Sequence, residues 1–209
     1  MTTPIREKMI AKVAEMRAAV RQRDPRDMAF KCGAEYADGL FRIKFFGEPH
    51  MVTFPDLEPR AEASGKACGL NRTAMFLYYL QTADGAPMAD KWIAFRELPG
   101  GMFYHQAYQG YSGDRLAKAI DNRIGVFERA AKNLGGVSLS LGDAAFAFDA
   151  LPRVRVAAVY YAGDEDFPAT ANVLFDASAS HYLPTDALAG IGSALVDRLT
   201  GVEAKEDQE

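Results

Sequence analysis

Residues 144–176, AAFAFDALPRVRVAAVYYAGDEDFPATANVLFD, decide the fold class of this 209-residue chain. Three apolar runs, within 144–148, 154–161 and 172–176, have the length and composition of strands. Their connections are too short for a βαβ crossover, which takes a dozen or more residues, so neighbouring strands must pair antiparallel. The same reading applies upstream. LFRIKFF at 40–46 alternates Phe41, Ile43 and Phe45 against Arg42 and Lys44, and the turn GEPH leads into MVTF, predicting a β-hairpin. DKWIAFRELPGG at 90–101 reads as one strand, with Trp92, Ala94 and Arg96 on one face and Ile93, Phe95 and Glu97 on the other.

Helices flank these strands. Ile5, Met9, Val13, Met16 and Val20 recur at helical spacing and mark an amphipathic first helix. Asn71 is placed to cap a helix through TAMFLYYLQTA, apolar on nearly all sides from Ala74 to Leu80. Leu116, Ile120, Ile124, Phe127, Ala131 and Leu134 predict one long helix stopped by Gly135 and Gly136. Thr185 and Asp186 open a last helix that faces the core with Leu188, Ile191, Leu195 and Leu199 and ends at Gly201. The expected fold is therefore α+β: a single domain with a mainly antiparallel sheet packed with about four helices. Its expected boundaries are an N-terminal helix within 1–26, the domain over 27–201, and a disordered tail over 202–209.

Composition narrows the function classes. Nearly half the residues are apolar and the formal net charge is −4, which speaks against a nucleic-acid binder, because phosphate neutralisation needs a basic stripe. The one basic run, Arg6 to Arg26, is broken by Glu7, Glu15 and Asp24 and reads as a solvated helix face. No window of about 18 apolar residues predicts a membrane span, and the charged N-terminus MTTPIREKM lacks a signal core, so the expected location is cytoplasmic. Two cysteines, Cys32 and Cys68, encode neither a disulfide framework nor a zinc or iron–sulfur site. Cys68, in SGKACGLN at 64–71 just before a helix, is a candidate reactive thiol, because a helix N-terminus lowers a thiol pKa. No GxGxxG or GxxxxGK[ST] follows a strand, and the glycine pairs 100/101 and 135/136 fit turn and cap positions.

Two constellations carry chemistry. In the first, Asp164, Glu165 and Asp166 follow one strand, Asp176 ends the next, and His181 lies five residues beyond. Close carboxylates attract a hard cation and a histidine favours a transition metal, so Asp164, Asp166, Asp176 and His181 are candidate metal ligands. The alternative is a solvated turn with Asp176 capping the next one. In the second, Trp92, Arg96, Glu97, Tyr104 and His105 are candidate ligand-binding residues. Strand alternation places the Arg96 guanidinium on the face of Trp92, ready to stack or to bind an anion. The competing reading pairs Arg96 with the acidic turn, and both readings take Arg96 out of solvent. Phe103, Tyr104, Tyr108 and Tyr111 add an aromatic series that either walls a flat-ligand pocket or simply packs.

The blocks WIAFRELPGGMFY, LGG with GD, and GDEDFPATANVLFDASASHYLPTDALA resemble those of a prokaryotic family described as domain of unknown function 3786, over roughly residues 27–199. The family name carries no activity. The resemblance implies a link to redox or corrinoid metabolism, since some members add a cysteine-rich iron–sulfur module. This chain lacks that module, so an iron–sulfur connection implies a separate partner protein.

No nucleophile elbow or HExxH is present, so the residues name neither a reaction nor a cofactor. The leading expectation is a ligand-binding or accessory domain that holds a small anionic or tetrapyrrole-like molecule between FRELPGG and the GDEDFP/HYLP segment. Its rival is a metal-assisted hydrolase or lyase on the four metal candidates, with Glu165 or Glu97 as base. A third reading is an interaction partner of an iron–sulfur protein, presenting an exposed apolar patch.

Overall fold

The computed structural model describes residues 3–201; the tail expected over 202–209 lies outside them. Helix α1 (Thr3–Val20) runs along α3 (Leu70–Thr82) and buries Val13, Met16 and Val20, whereas Ile5 stays exposed and Met9 is half-buried. The buried three belong to the same core as the rest of the chain, so α1 is a packed part of the single α+β domain. Helix α2 (Pro25–Cys32) was not marked by apolar periodicity. It forms on local signals: the Asp24 carboxylate accepts from the Arg26 N–H at 2.8 Å, Pro25 sits in the first turn, and Gly33 closes the helix at φ 69°.

Two antiparallel sheets follow where one was expected. The first has the order β1 (Glu35–Ala37), β2 (Leu40–Phe45), β3 (Glu48–Thr53), β4 (Pro59–Ala61). Its central hairpin pairs Phe45 with Glu48, so the turn is the two residues Phe46 and Gly47, both at positive φ, and not the predicted GEPH. That geometry is the type I′ turn, whose twist matches the strands. It moves His50 into β3, where it is buried.

The second sheet has the order β5 (Trp92–Ala94), β9 (Thr170–Asp176), β8 (Val154–Tyr161), β7 (Ala144–Leu151), β6 (Val137–Leu139). Consecutive strands from β6 to β9 pair as the short connections require, and β7 and β8 are buried over most of both faces. All four outer strands, β1, β4, β5 and β6, are three residues long. The sheets meet through β2 and β7, where the Phe46 N–H donates to the Ala150 carbonyl at 3.0 Å.

Besides α2, the helical layer departs from expectation after β5. The single helix predicted through Leu116 to Leu134 is two, α5 (Gly113–Ile120) and α6 (Ile124–Asn133). Asp121 and Asn122 separate them at φ 49° and 58°, a left-handed conformation that Asp and Asn tolerate better than most residues. Asn122 then clasps Gly163: its Nδ2 donates to the Gly163 carbonyl at 3.0 Å and its Oδ1 accepts from the Gly163 N–H at 2.8 Å. A short helix, α4 (His105–Tyr111), precedes them. The last helix, α7 (Thr185–Thr200), buries Leu188, Ile191, Leu195 and Leu199, ends at Gly201 in a left-handed cap, and is tied to α5 by an Arg115–Asp197 ion pair. Among the described residues, no helix is long and apolar enough to cross a membrane.

Candidate functional site

The FRELPGG segment is a strand for only three residues. After Ala94 the chain turns into a 3-10 helix, Phe95–Glu97, because the Glu97 carboxylate reaches back to accept from the Ala94 N–H at 2.7 Å. Alternation therefore ends before Arg96, and the predicted sharing of a face with Trp92 does not occur. The guanidinium over Trp92 is that of Arg155, 5.6 Å from the ring centroid and paired with Asp90 at 2.8 Å. Arg96 is exposed and has no ion pair or hydrogen bond among the described residues. Both sequence readings, which took it out of solvent, are corrected on this point.

The early stop of β5 opens a cleft. β5 pairs with β9 only from Asp176 to Leu174, so the outer edge of β9 from Val173 back to Thr170 has no strand beside it. The chain passes Gly100, at φ 74°, and returns over this gap as α4. The result is a cleft of about 400 Å³, with Arg96 and His105 at its rim, Asn172 and Leu174 on the strand side, and a floor made by Phe95 stacked on Tyr108 (centroids 4.0 Å apart). Gln109 is spent on structure: its Nε2 donates to the Ala171 carbonyl at 3.0 Å and to Asp114 at 2.7 Å, covering part of the bare edge. His105 holds Nδ1 2.7 Å from the Met102 carbonyl, which requires the proton on Nδ1 and leaves Nε2 as an acceptor when the ring is neutral. The Asn172 side chain has no hydrogen-bond partner among the described residues. Met102, Phe103 and Tyr104 stand exposed on the adjoining loop. Of the five predicted ligand-binding residues, the fold thus brings Arg96 and His105 together, commits Glu97 to the turn, and leaves Trp92 and Tyr104 outside the cleft lining.

The metal candidates are not brought together. Asp164 Oδ1 accepts from the N–H groups of Phe167 (2.8 Å) and Asp166 (2.9 Å), an Asx turn that holds its pKa below the usual range. Asp176 lies at the other end of β9, six residue steps or about 20 Å from Thr170 at the rise of a strand. It is buried, and Oδ1 accepts from the Ser178 hydroxyl (2.6 Å), the Ser178 N–H (2.9 Å) and the Ala89 N–H (3.0 Å). Burial pushes its pKa up; these donations outweigh that and leave it lowered. His181 turns to Asp84, Nδ1 to Oδ2 at 2.7 Å, and this contact lowers the Asp84 pKa. No three His, Cys, Asp or Glu side chains among the described residues are placed to hold a metal ion.

Cys68 is half-buried just before α3, whose N-cap is Gly69 and not the predicted Asn71. Cys32 is fully buried, and burial pushes its thiol up to about 11. The sequence reading missed Asn172. Its signal was weak, a single amide inside an apolar strand, and only the shortness of β5 gives it a role.

A family model described as a domain of unknown function (DUF3786) matches residues 24–198. The chain belongs to that family. No curated protein and no solved structure matches it. The DUF3786 match begins at Asp24, the N-cap of α2, and ends in the last turn of α7, so it takes in both sheets and the whole cleft. Helix α1 packs against the matched region from outside it.

Proposed function

We propose that this DUF3786 domain binds a small planar organic anion in the cleft between the FRELPGG turn, α4 and β9. The supporting observation is a guanidinium without an acceptor among the described residues, Arg96, set with His105 and Asn172 around the stacked Phe95–Tyr108 floor. A guanidinium offers five N–H donors in a plane suited to a carboxylate or sulfonate, and the aromatic floor favours a flat body. The volume, about 400 Å³, is within the usual range for ligand sites. This reading makes the protein a binding or accessory domain, acting in the cytoplasm, with the redox or corrinoid link carried by the family resemblance alone.

The test is a fluorescence titration with 1-anilinonaphthalene-8-sulfonate as a flat aromatic anion. Arg96→Ala should weaken binding about tenfold, the loss expected for one charge-assisted contact, with unchanged melting. Equal affinity in Arg96→Ala would overturn the assignment. Asn172→Ala, which removes a neutral donor, should weaken binding by a smaller factor.

A further inference from the structure

Arg72 stands alone in the interior. It lies in the first turn of α3 and is only 7% exposed, yet it makes no ion pair or hydrogen bond among the described residues. Its guanidinium carbon lies over the Phe45 ring, 3.8 Å from the centroid, and that of Arg198 approaches the same ring at 4.8 Å. A cation–π contact offsets only part of the cost of taking an ion out of water, and it uses none of the five N–H donors. Glu48, beside this end of the core, serves Arg198 at 3.9 Å. Burial lowers the pKa of the neighbouring His50, the Glu48 carbonyl and carboxylate offset part of that, and Arg72 and Arg198 lower it.

Arg72 lines a groove of about 260 Å³ between α3 and α7. Ala187, Gly190 and Ala194 keep the α7 wall low, and Met9, Met75 and Ile191 make it apolar. The head of the groove is at the start of α3, where Gly69 gives no side-chain cap, so the positive end of the helix dipole adds to the guanidinium. At the other end Asp186, close enough to Tyr78 to raise its pKa after burial does, is unfavourable for a second negative charge.

We infer that this groove is a binding site for a short-chain organic monocarboxylate, its carboxylate on the Arg72 guanidinium and its hydrocarbon part along Met9, Met75 and Ile191. One planar fork of donors matches one carboxylate. The apolar walls suit a hydrocarbon body, and the small volume limits it to a short one. The site shares no residue with the Arg96 cleft.

The test is isothermal titration with hexanoate and, as a body of equal length and opposite charge, hexylamine. The wild type should bind hexanoate at least tenfold more tightly than hexylamine. Arg72→Met removes the charge and keeps the packing on Phe45; it should abolish that preference while melting at or above the wild-type temperature, since an unpaired buried charge is gone. Gly190→Leu decides independently of Arg72: a Cβ at Gly190 meets nothing within 4 Å, so the larger side chain fills the groove in a helix it suits better than glycine. It should also lose hexanoate by tenfold or more. Arg96→Ala should bind hexanoate as the wild type does, which separates this site from the cleft. No preference for hexanoate in the wild type, or an unchanged affinity in both Arg72→Met and Gly190→Leu, would overturn the proposal.

Discussion

Strand β9 has an aspartate near each end, both of them acceptors for the backbone N–H two residues on, and the two differ in burial and in what else they hold. Before its first residue, Asp164 sits in solvent and folds the GDEDFP turn by accepting two backbone N–H groups. At its last residue, Asp176 is buried and joins three separate donors from Ala89 and Ser178. The richer acidic cluster, Asp164 to Asp166, is the less consequential one for the fold. What decides a carboxylate's importance is how many donors would be stranded without it, because an unsatisfied buried N–H costs more than an exposed ion pair contributes.

The most demanding break in this comparison is Asp176→Ala. Stranding the Ser178 hydroxyl and N–H and the Ala89 N–H should cost about 3 kcal/mol in urea unfolding; a loss below about 1 kcal/mol would place Asp176 with Asp164. Next is Asn122→Ala, which releases the GDEDFP turn from the break between α5 and α6. Two hydrogen bonds to Gly163 are lost, and a cost of about 1–2 kcal/mol is expected.

Acid titration sharpens the contrast without mutating the turn. Asp176 has a folded pKa lowered beneath its unfolded value. Its contribution is therefore complete above the unfolded value, near 3.9, and disappears as pH falls through the folded one. The stability gap between wild type and Asp176→Asn should hold from pH 7 to about 5 and narrow below pH 4. A gap that widened on acidification would contradict the lowered pKa. The smallest effect belongs to Asp164→Ala: a melting shift of about 2 °C or less, since solvent replaces an exposed acceptor. A shift as large as that of Asp176→Ala would erase the distinction.

The patterns that depend on periodicity were legible in the sequence. The α7 stripe of Leu188, Ile191, Leu195 and Leu199, the hairpin of β2 and β3, and the antiparallel run of β7 to β9 all follow from spacing and connection length. The break at Asp121–Asn122 was hidden because Ile120 and Ile124 keep an i, i+4 spacing across it, so the apolar pattern continues while the backbone does not. Arg96 was a ligand candidate because strand alternation placed it on the face of Trp92, and that argument failed when Glu97 captured the Ala94 N–H and ended the strand. Arg72 was invisible for a different reason. In sequence it is an ordinary polar residue at a helix start, and only the packing over Phe45 shows that it is largely buried with no ion pair among the described residues.

The three-residue outer strands have a consequence for how copies of this chain meet. A sheet edge exposes unpaired N–H and C=O groups on which another strand can grow. Here β1, β4, β5 and β6 end after three residues each; β1 opens with Glu35 and β4 with Pro59, whose nitrogen has no hydrogen to donate. Two longer runs of edge extend past them: Thr170 to Val173 of β9 is roofed by Gln109 and α5, and Phe148 to Leu151 of β7 meets the turn after β2, where the Phe46 N–H donates to the Ala150 carbonyl. Among the described residues, the nine strands therefore present only short or covered edges to another copy of the chain.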